Sequence, residues 1–145
     1  TPAHTGVFCF WSVRNLIYSL LVLSSPVSGH CSRSAAEFAH CAIARGHGIH
    51  RIFFLDAGTV ASSATRIIPQ DESDPLTLWL ALAELHGVDL VICISSALKH
   101  GMLDQAEANR HERPCPTINP AFTVSGLGQL VDACAHSDRV ITFGG

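Results

Sequence analysis

A cysteine at the end of a predicted strand is the residue of this chain best placed for chemistry. Residues 88–94, VDLVICI, are apolar and mostly β-branched apart from Asp89, a pattern typical of a short strand covered on both faces in a parallel sheet. Cys93 therefore lies at or near the carboxyl end of that strand, the edge where open α/β sheets bind ligands. A thiol reacts as its thiolate, and the amide groups of a following turn or helix N-terminus would favour that form. We interpret Cys93 as a candidate nucleophile that takes a sulfur atom from a persulfide and holds it.

Two basic residues follow this cysteine closely, and the residues themselves leave their role open. Lys99 and His100 are candidates to stabilise an anionic persulfide, but both also fit a solvated turn. The same choice applies to Cys93, because cysteine is among the most buried residue types and often merely packs within a strand.

The five other cysteines are weaker candidates for chemistry. Cys31 lies in the loop after the first predicted strand, at the same sheet edge, where a secondary role is conceivable. Cys41 and Cys134 fall in predicted helices on or near apolar faces, where packing is the favoured interpretation. Cys115 is bracketed by prolines, which indicates an exposed loop thiol, and Cys9 lies in an N-terminal stretch of uncertain status. The spacing forms no compact disulfide framework, so we predict free thiols in a reducing cytoplasm.

Nine histidines and six cysteines raise the question of a bound metal. The chain has no Cys-x-x-Cys motif, and the close histidine pair, His47 and His50, straddles a glycine turn. Zinc sites usually show tighter ligand spacing, so we predict no metal and no cofactor. Residues 126–128, GLG, match only part of a dinucleotide fingerprint and are better explained as a capped helix start. The sequence also lacks a nucleophile elbow and a P-loop.

The composition is that of one domain with little charge. Charged residues make up 14% of the 145 residues, against about 25% in an ordinary soluble domain. So little charge predicts that part of the surface is buried against partner subunits. The net charge is −3 and lysine occurs once, so no basic stripe is present and tight, direct nucleic-acid binding is not expected.

An apolar stretch near the start has two possible interpretations. Residues 16–23, LIYSLLVL, follow Arg14 and precede a run of small residues, as in a secretory signal. The stretch is far too short to span a bilayer. We favour a first buried strand, because cleavage there would remove an element that the next segments need, and we expect a cytoplasmic protein without a membrane anchor.

Strands and helices alternate along the rest of the chain. Strands are predicted at 16–23, 49–55, 88–94 and 139–143, and helices from Ser32 or Ser34 to 45, over 76–85 and 103–109, and from a Ser125 cap to 135. Long connections at 56–74 and 110–120 are candidate docking surfaces. The alternation predicts a single three-layer α/β domain, residues 16–145, with a mostly parallel sheet of about five strands and helices on both faces. Residues 1–15 are assigned as an N-terminal extension.

Three stretches together resemble the TusD/DsrE sulfurtransferases. They are SPVSGHCSRSAAEFAHCAIARGHGIHRIFFLDAG, ICISSALKHGMLDQAEA and FTVSGLGQLVDACAHSDRVITF. The resemblance extends over about residues 16–143 and includes the cysteine at the strand end. It departs from the family pattern at Ser95 and Ser96, where small apolar residues are usual.

The resemblance implies a DsrE-like fold and a relay of sulfur. Cys93 matches the active cysteine, which accepts sulfur from a small donor protein as a persulfide and passes it to an acceptor protein. Related subunits would surround the chain in a heterohexamer-like complex. In the Tus branch the sulfur serves 2-thiouridine formation at the tRNA wobble position, and in the Dsr branch a similar complex serves dissimilatory sulfur oxidation. A non-catalytic structural subunit of such a complex is the remaining alternative.

Overall fold

Five parallel strands form one sheet in the computed structural model, which describes residues 14–144. The strand order is β4-β3-β2-β1-β5, and every neighbouring pair runs parallel. This confirms the predicted α/β class. The strands are β1 (Ile17–Val22), β2 (Gly48–Phe54), β3 (Asp89–Cys93), β4 (Phe122–Ser125) and β5 (Arg139–Phe143).

Helices cover both faces of the sheet, as predicted. They are α1 (Cys31–Ala44), α2 (Leu76–His86), α3 (Ile94–Lys99), α4 (Gln105–Arg110) and α5 (Gly128–His136), with a 3₁₀ helix at Asp56–Ser62. The alternation of side chains along β3 separates the two layers. Leu90 and Ile92 belong to the larger core beneath α1 and α2, whereas Val91 and Cys93 belong to a smaller cluster that Leu130 of α5 packs against.

Small residues on α1 bring that helix close to the sheet. Ala35, Ala36 and Ala39 are completely buried, so the helix presents no bulky side chain to the strands. Large side chains fill the remaining space, above all Trp79 of α2, which meets Phe54 of β2 edge to face with ring centroids 5.0 Å apart. Close packing of this kind makes the sheet a rigid base for its carboxyl edge.

The start of α1 differs from the sequence prediction. Helix α1 begins at Cys31, with His30 at the N-cap, so neither Ser32 nor Ser34 is the cap. Ser32 instead is buried within the first turn. Both the cap and the start of the helix therefore lie earlier in the chain than predicted.

Strand β4 is an element that the sequence did not predict separately. It contains only four residues, and its last residue, Ser125, pairs with Cys93 of β3 instead of capping α5. Helix α5 begins three residues later, at Gly128, with Leu127 at the N-cap. So short a strand has too few alternating positions to be recognised from its own residues.

The predicted long connection 56–74 is partly ordered and buried. It begins with the 3₁₀ helix, in which Gly58, Thr59 and Ala61 are buried. Only its second part remains irregular and mostly exposed. The whole segment is therefore not a mobile surface loop, because its first turns pack against the carboxyl ends of β2 and β3 and against α3.

Replacing Gly58 with alanine should destabilise this packing. A Cβ atom at position 58 would collide with the carbonyl oxygen of Val22 and lie 2.8 Å from its carbonyl carbon. The end of β1 or the 3₁₀ helix must then shift, so we expect the free energy of unfolding to fall by about 1–3 kcal/mol. Urea denaturation measures the loss. Gly126→Ala is the matched control, since a Cβ there meets no atom within 4 Å, and equal losses in both variants would contradict the steric explanation.

The N-terminal part of the chain is described from Arg14 onward. Within the apolar stretch 16–23, Ile17–Val22 forms β1, as predicted, and the strand lies between β2 and β5. The boundary assigned after residue 15 stays a prediction, and Cys9 lies outside the described residues. No helix within 14–144 combines the length and the apolar character needed to cross a bilayer.

Candidate functional site

Cys93 lies where the sheet gives way to a helix at its carboxyl edge. It is the last residue of β3 and also the N-cap residue of α3, with an extended backbone (φ −67°, ψ 123°). Its register partner is Ser125, the last residue of β4. The strand pattern of the sequence therefore placed Cys93 correctly, while the small residues after it form helix α3 and not a turn.

The thiol of Cys93 is covered in the single chain. Its residue is 3% exposed and clusters with Phe53 and Val91, with Leu55 and Leu130 packed against them. The thiol therefore does not stand open at the rim of the sheet in the isolated chain. The reason is topological: the connection from β4 to β5 carries α5 over this face of the sheet.

Removing the α5 side chain from this cover should expose the thiol. In Leu130→Ala we expect iodoacetamide to alkylate Cys93 roughly tenfold faster. A smaller local movement of α5 is then enough for the reagent to reach the thiol. The rate is measured on tryptic peptide 67–99, in which Cys93 is the single cysteine, at a temperature where circular dichroism shows the variant folded.

Val131→Ala is the matched control for this alkylation experiment. Val131 is the next residue of α5, is 68% exposed and lies outside the Cys93 cluster. We expect its alkylation rate to equal that of the unmodified chain. Equal acceleration in both variants, or none in Leu130→Ala, would show that Leu130 does not control access.

The two basic residues after Cys93 lie at the opposite end of α3 from it. Lys99 ends α3 and His100 is its C-cap, six and seven residues beyond Cys93, and both are exposed. At 1.5 Å per residue they are about 9–10 Å further along the helix axis. The interpretation as a solvated helix end therefore fits better than a direct role at the sulfur.

The two serine hydroxyls that follow Cys93 in α3 differ in their burial. Ser96 is 7% exposed, whereas Ser95 is exposed at the surface of α3. The residue types around these two serines do not distinguish the buried hydroxyl from the exposed one.

The four other cysteines among the described residues are also free thiols. Cys31 is half-buried at the first position of α1, just beyond the carboxyl end of β1, and so shares the sheet edge with Cys93. Cys115 is exposed, as expected for its loop. Cys41 and Cys134 are exposed as well, so the prediction that they pack in the core is wrong. Their helices bury other positions, chiefly alanines.

An open cleft of about 500 Å³ lies at the same edge of the sheet, between the loop after β1 and the segment before α2. Its lining carries both signs of charge, from Arg33 on one side and from Asp71 and Glu72 on the other. The second candidate docking surface, 110–120, is mostly exposed from His111 to Pro116. Both predicted connections therefore expose polar surface.

Comparisons with known proteins give a consistent result over most of the chain. The family described as "DsrE/DsrF-like family" matches residues 18–143. A Pseudomonas aeruginosa protein named "Sulfurtransferase TusD homolog" is 39% identical over 125 residues, covering 86% of this chain and 95% of that protein. "Sulfurtransferase TusD" of Salmonella typhi is 36% identical over 126 residues, covering 87% and 98%.

A solved structure shares the architecture. The ychN protein of E. coli superposes with a TM-score of 0.70, covering 88% of this chain and 99% of that one. The sequence identity is 14%, so this likeness concerns the fold alone.

Proposed function

The chain belongs to the DsrE/DsrF-like family, and from that membership we propose that it is a sulfurtransferase that carries sulfur as a persulfide on Cys93. The supporting relatives are named sulfurtransferases and match nearly their whole length. The observation that carries the assignment to Cys93 is its position as the last residue of β3 and N-cap of α3, at the carboxyl edge of a parallel sheet.

The proposed reaction consists of two thiol exchanges at sulfur. The thiolate of Cys93 attacks the outer sulfur of a donor persulfide, so that a Cys93 persulfide forms and the donor leaves as its thiolate. An acceptor cysteine then attacks the outer sulfur on Cys93 in the same way. Each exchange transfers one sulfur atom without net oxidation or reduction, and no metal or cofactor takes part in the proposed steps.

The fold controls the access of a donor protein to the thiol of Cys93. Since Cys93 is 3% exposed beneath Leu55 and Leu130, the donor must meet a locally opened form of the α5 face. Local opening of this kind is ordinary for binding elements with few buried contacts. Helix α5 fits that description, because Ala133 is its one buried residue.

Protein partners are part of the proposal. The donor and acceptor would be proteins that bring their thiols to the carboxyl edge, in the cytoplasm, where thiols stay reduced. Related subunits in a heterohexamer-like complex would cover apolar surface that the single chain leaves exposed. Leu127 and Val131 of α5 are 55% and 68% exposed, and Ile17 of β1 is 44% exposed.

The proposed destination of the sulfur is 2-thiouridine at the tRNA wobble position, and the alternative is dissimilatory sulfur oxidation. Deletion of the gene in its own organism separates the two. Loss of 2-thiouridine from digested tRNA, measured by mass spectrometry, would support the first. Unchanged tRNA thiolation together with slower oxidation of stored sulfur would overturn it in favour of the second.

A non-catalytic subunit is the second candidate, and the burial of Cys93 favours it. A thiol packed against Phe53 and Val91 resembles a core cysteine that only fills space. Incubation with a persulfide-loaded donor protein, followed by intact mass measurement, separates the candidates. The sulfurtransferase gains one sulfur atom per chain, and a chain that gains none is the structural subunit.

A further inference from the structure

Three potential metal ligands meet where α5 crosses the beginning of β2. His50 comes from β2, and Asp132 and His136 lie one turn apart on α5. One ligand atom from each lies within 4.8 Å of the others, and no other group of three such side chains occurs in residues 14–144. Cys93 belongs to the carboxyl edge of the sheet, whereas this cluster involves the first half of β2, so the two are separate sites.

An irregularity in β2 produces this meeting. Tyr18 of β1 pairs with Ile49, and Ser19 pairs with Arg51, so His50 is left over as the extra residue of a bulge. Side chains of consecutive strand residues normally point to opposite faces. Here both His50 and Arg51 contact Asp132 of α5, so the bulge directs both side chains to the same face.

The two histidines approach the two oxygens of one carboxylate. His50 Nε2 is 3.1 Å from Asp132 Oδ2, and His136 Nδ1 is 3.0 Å from Asp132 Oδ1 and 2.9 Å from the backbone carbonyl oxygen of Asp132, a contact that it would give up to a metal ion. The two imidazole rings are 5.6 Å apart between centroids. Their side chains remain partly exposed, at 30% for His50 and 62% for His136, so an ion can enter from solvent and the rings can adjust.

A supporting ion pair fixes the carboxylate. Arg51 donates hydrogen bonds to Asp132 Oδ2 at 2.7 Å and to Asp89 Oδ2 at 2.7 Å. Since two carboxylates share one guanidinium charge, the three side chains together keep one negative charge. Arg51 therefore holds the Asp132 carboxylate in a fixed orientation, the role that outer partners have for metal-binding carboxylates.

We propose that His50, Asp132 and His136 bind a divalent transition-metal ion such as Zn²⁺, with an open fourth position for water. Two imidazoles and one carboxylate are a ligand set that zinc accepts in sites with three protein ligands. Tetrahedral ligands at about 2.0–2.1 Å from zinc lie roughly 3.3 Å from each other. Small movements of these partly exposed side chains reach that spacing, with Asp132 binding through Oδ1 while Oδ2 stays on Arg51.

The spacing of histidines and cysteines predicted no metal site, because that argument considers only ligands that are close to one another in the sequence. It singled out His47 with His50, but His47 accepts a hydrogen bond from the backbone N–H of Leu16 and packs edge to face against Tyr18. The ligands that meet in space are separated by 82 residues between His50 and Asp132. A bound ion would tie α5 to β2, the same helix whose Leu130 covers Cys93.

Calorimetric titration of the full chain with Zn²⁺ tests this site. The accessible thiols are first blocked with iodoacetamide, because exposed Cys134 lies close in sequence and thiolates also bind zinc. We expect one Zn²⁺ per chain, with the dissociation constant raised at least about tenfold in His136→Ala and in His50→Ala. Zn²⁺ should also raise the melting temperature of the unmodified chain and not that of His136→Ala.

His86→Ala is the matched control, since His86 is likewise an exposed histidine in the last turn of a helix. It should bind Zn²⁺ as the unmodified chain does. No binding by the thiol-blocked chain, or an unchanged dissociation constant in either ligand variant, would overturn the three-ligand site and leave a hydrogen-bonded ion network in its place.

Discussion

We expect sulfur transfer from a loaded donor to an acceptor to fall by a factor of roughly a thousand or more when Cys93 is replaced by serine, because the variant would lack the proposed nucleophile. Serine is close to cysteine in size and fits the cluster of Phe53 and Val91 without a large cavity. The fold should therefore persist, which circular dichroism checks. The transfer rate is measured by following the appearance of sulfur on the acceptor protein.

Cys31→Ser is the control for this experiment. Cys31 shares the carboxyl edge of the sheet with Cys93 but lies at the start of α1, after β1. We expect this variant to transfer sulfur at close to the unmodified rate. Transfer that survives in Cys93→Ser and disappears in Cys31→Ser would move the proposed reaction to the other cysteine.

The stability of the sheet should depend most strongly on Trp79. This side chain is completely buried on α2 and contacts the ring of Phe54 edge to face, at 5.0 Å and 86°. Truncation to alanine removes a large buried aromatic and leaves a cavity, so we expect the free energy of unfolding to fall by about 3–5 kcal/mol. Guanidinium denaturation followed by circular dichroism measures the change.

Two further variants separate cavity formation from other causes. Trp79→Phe keeps a ring against Phe54 and removes an indole N–H that has no hydrogen-bond partner among the described residues, so its loss should be well below that of alanine. Leu85→Ala on the same helix, at a site 72% exposed, should change stability by less than about 0.5 kcal/mol. Similar losses at positions 79 and 85 would contradict the assignment of Trp79 to the core.

The long strands were predictable because their signals are local. The runs that became β1, β2, β3 and β5 are apolar and partly β-branched, and the structure begins and ends each of them within two residues of the prediction. Strand β4 was not predicted, since four residues, FTVS, carry no period of their own. Ser125 looked like a helix cap for the same reason: a serine before glycine fits a cap as well as a strand end.

The location of the candidate site was predictable, but its burial was not. The strand pattern placed Cys93 at the carboxyl edge from its own neighbours in sequence. Its cover depends on Leu55 after β2 and on Leu130 of α5, which crosses that face because β5 pairs beside β1. That arrangement is a property of the strand order, and no spacing within residues 88–104 contains it.

The position of the added sulfur after one round of loading tests the proposed role of Cys93 most directly. Trypsin releases residues 67–99 with Cys93 as the single cysteine, residues 15–33 with Cys31, and the remaining cysteines on other peptides. After incubation with a persulfide donor and blocking of thiols and persulfides, mass spectrometry should find one extra sulfur atom on peptide 67–99. An extra sulfur on peptide 15–33 or on another cysteine peptide, with 67–99 unchanged, would contradict a persulfide carried by Cys93.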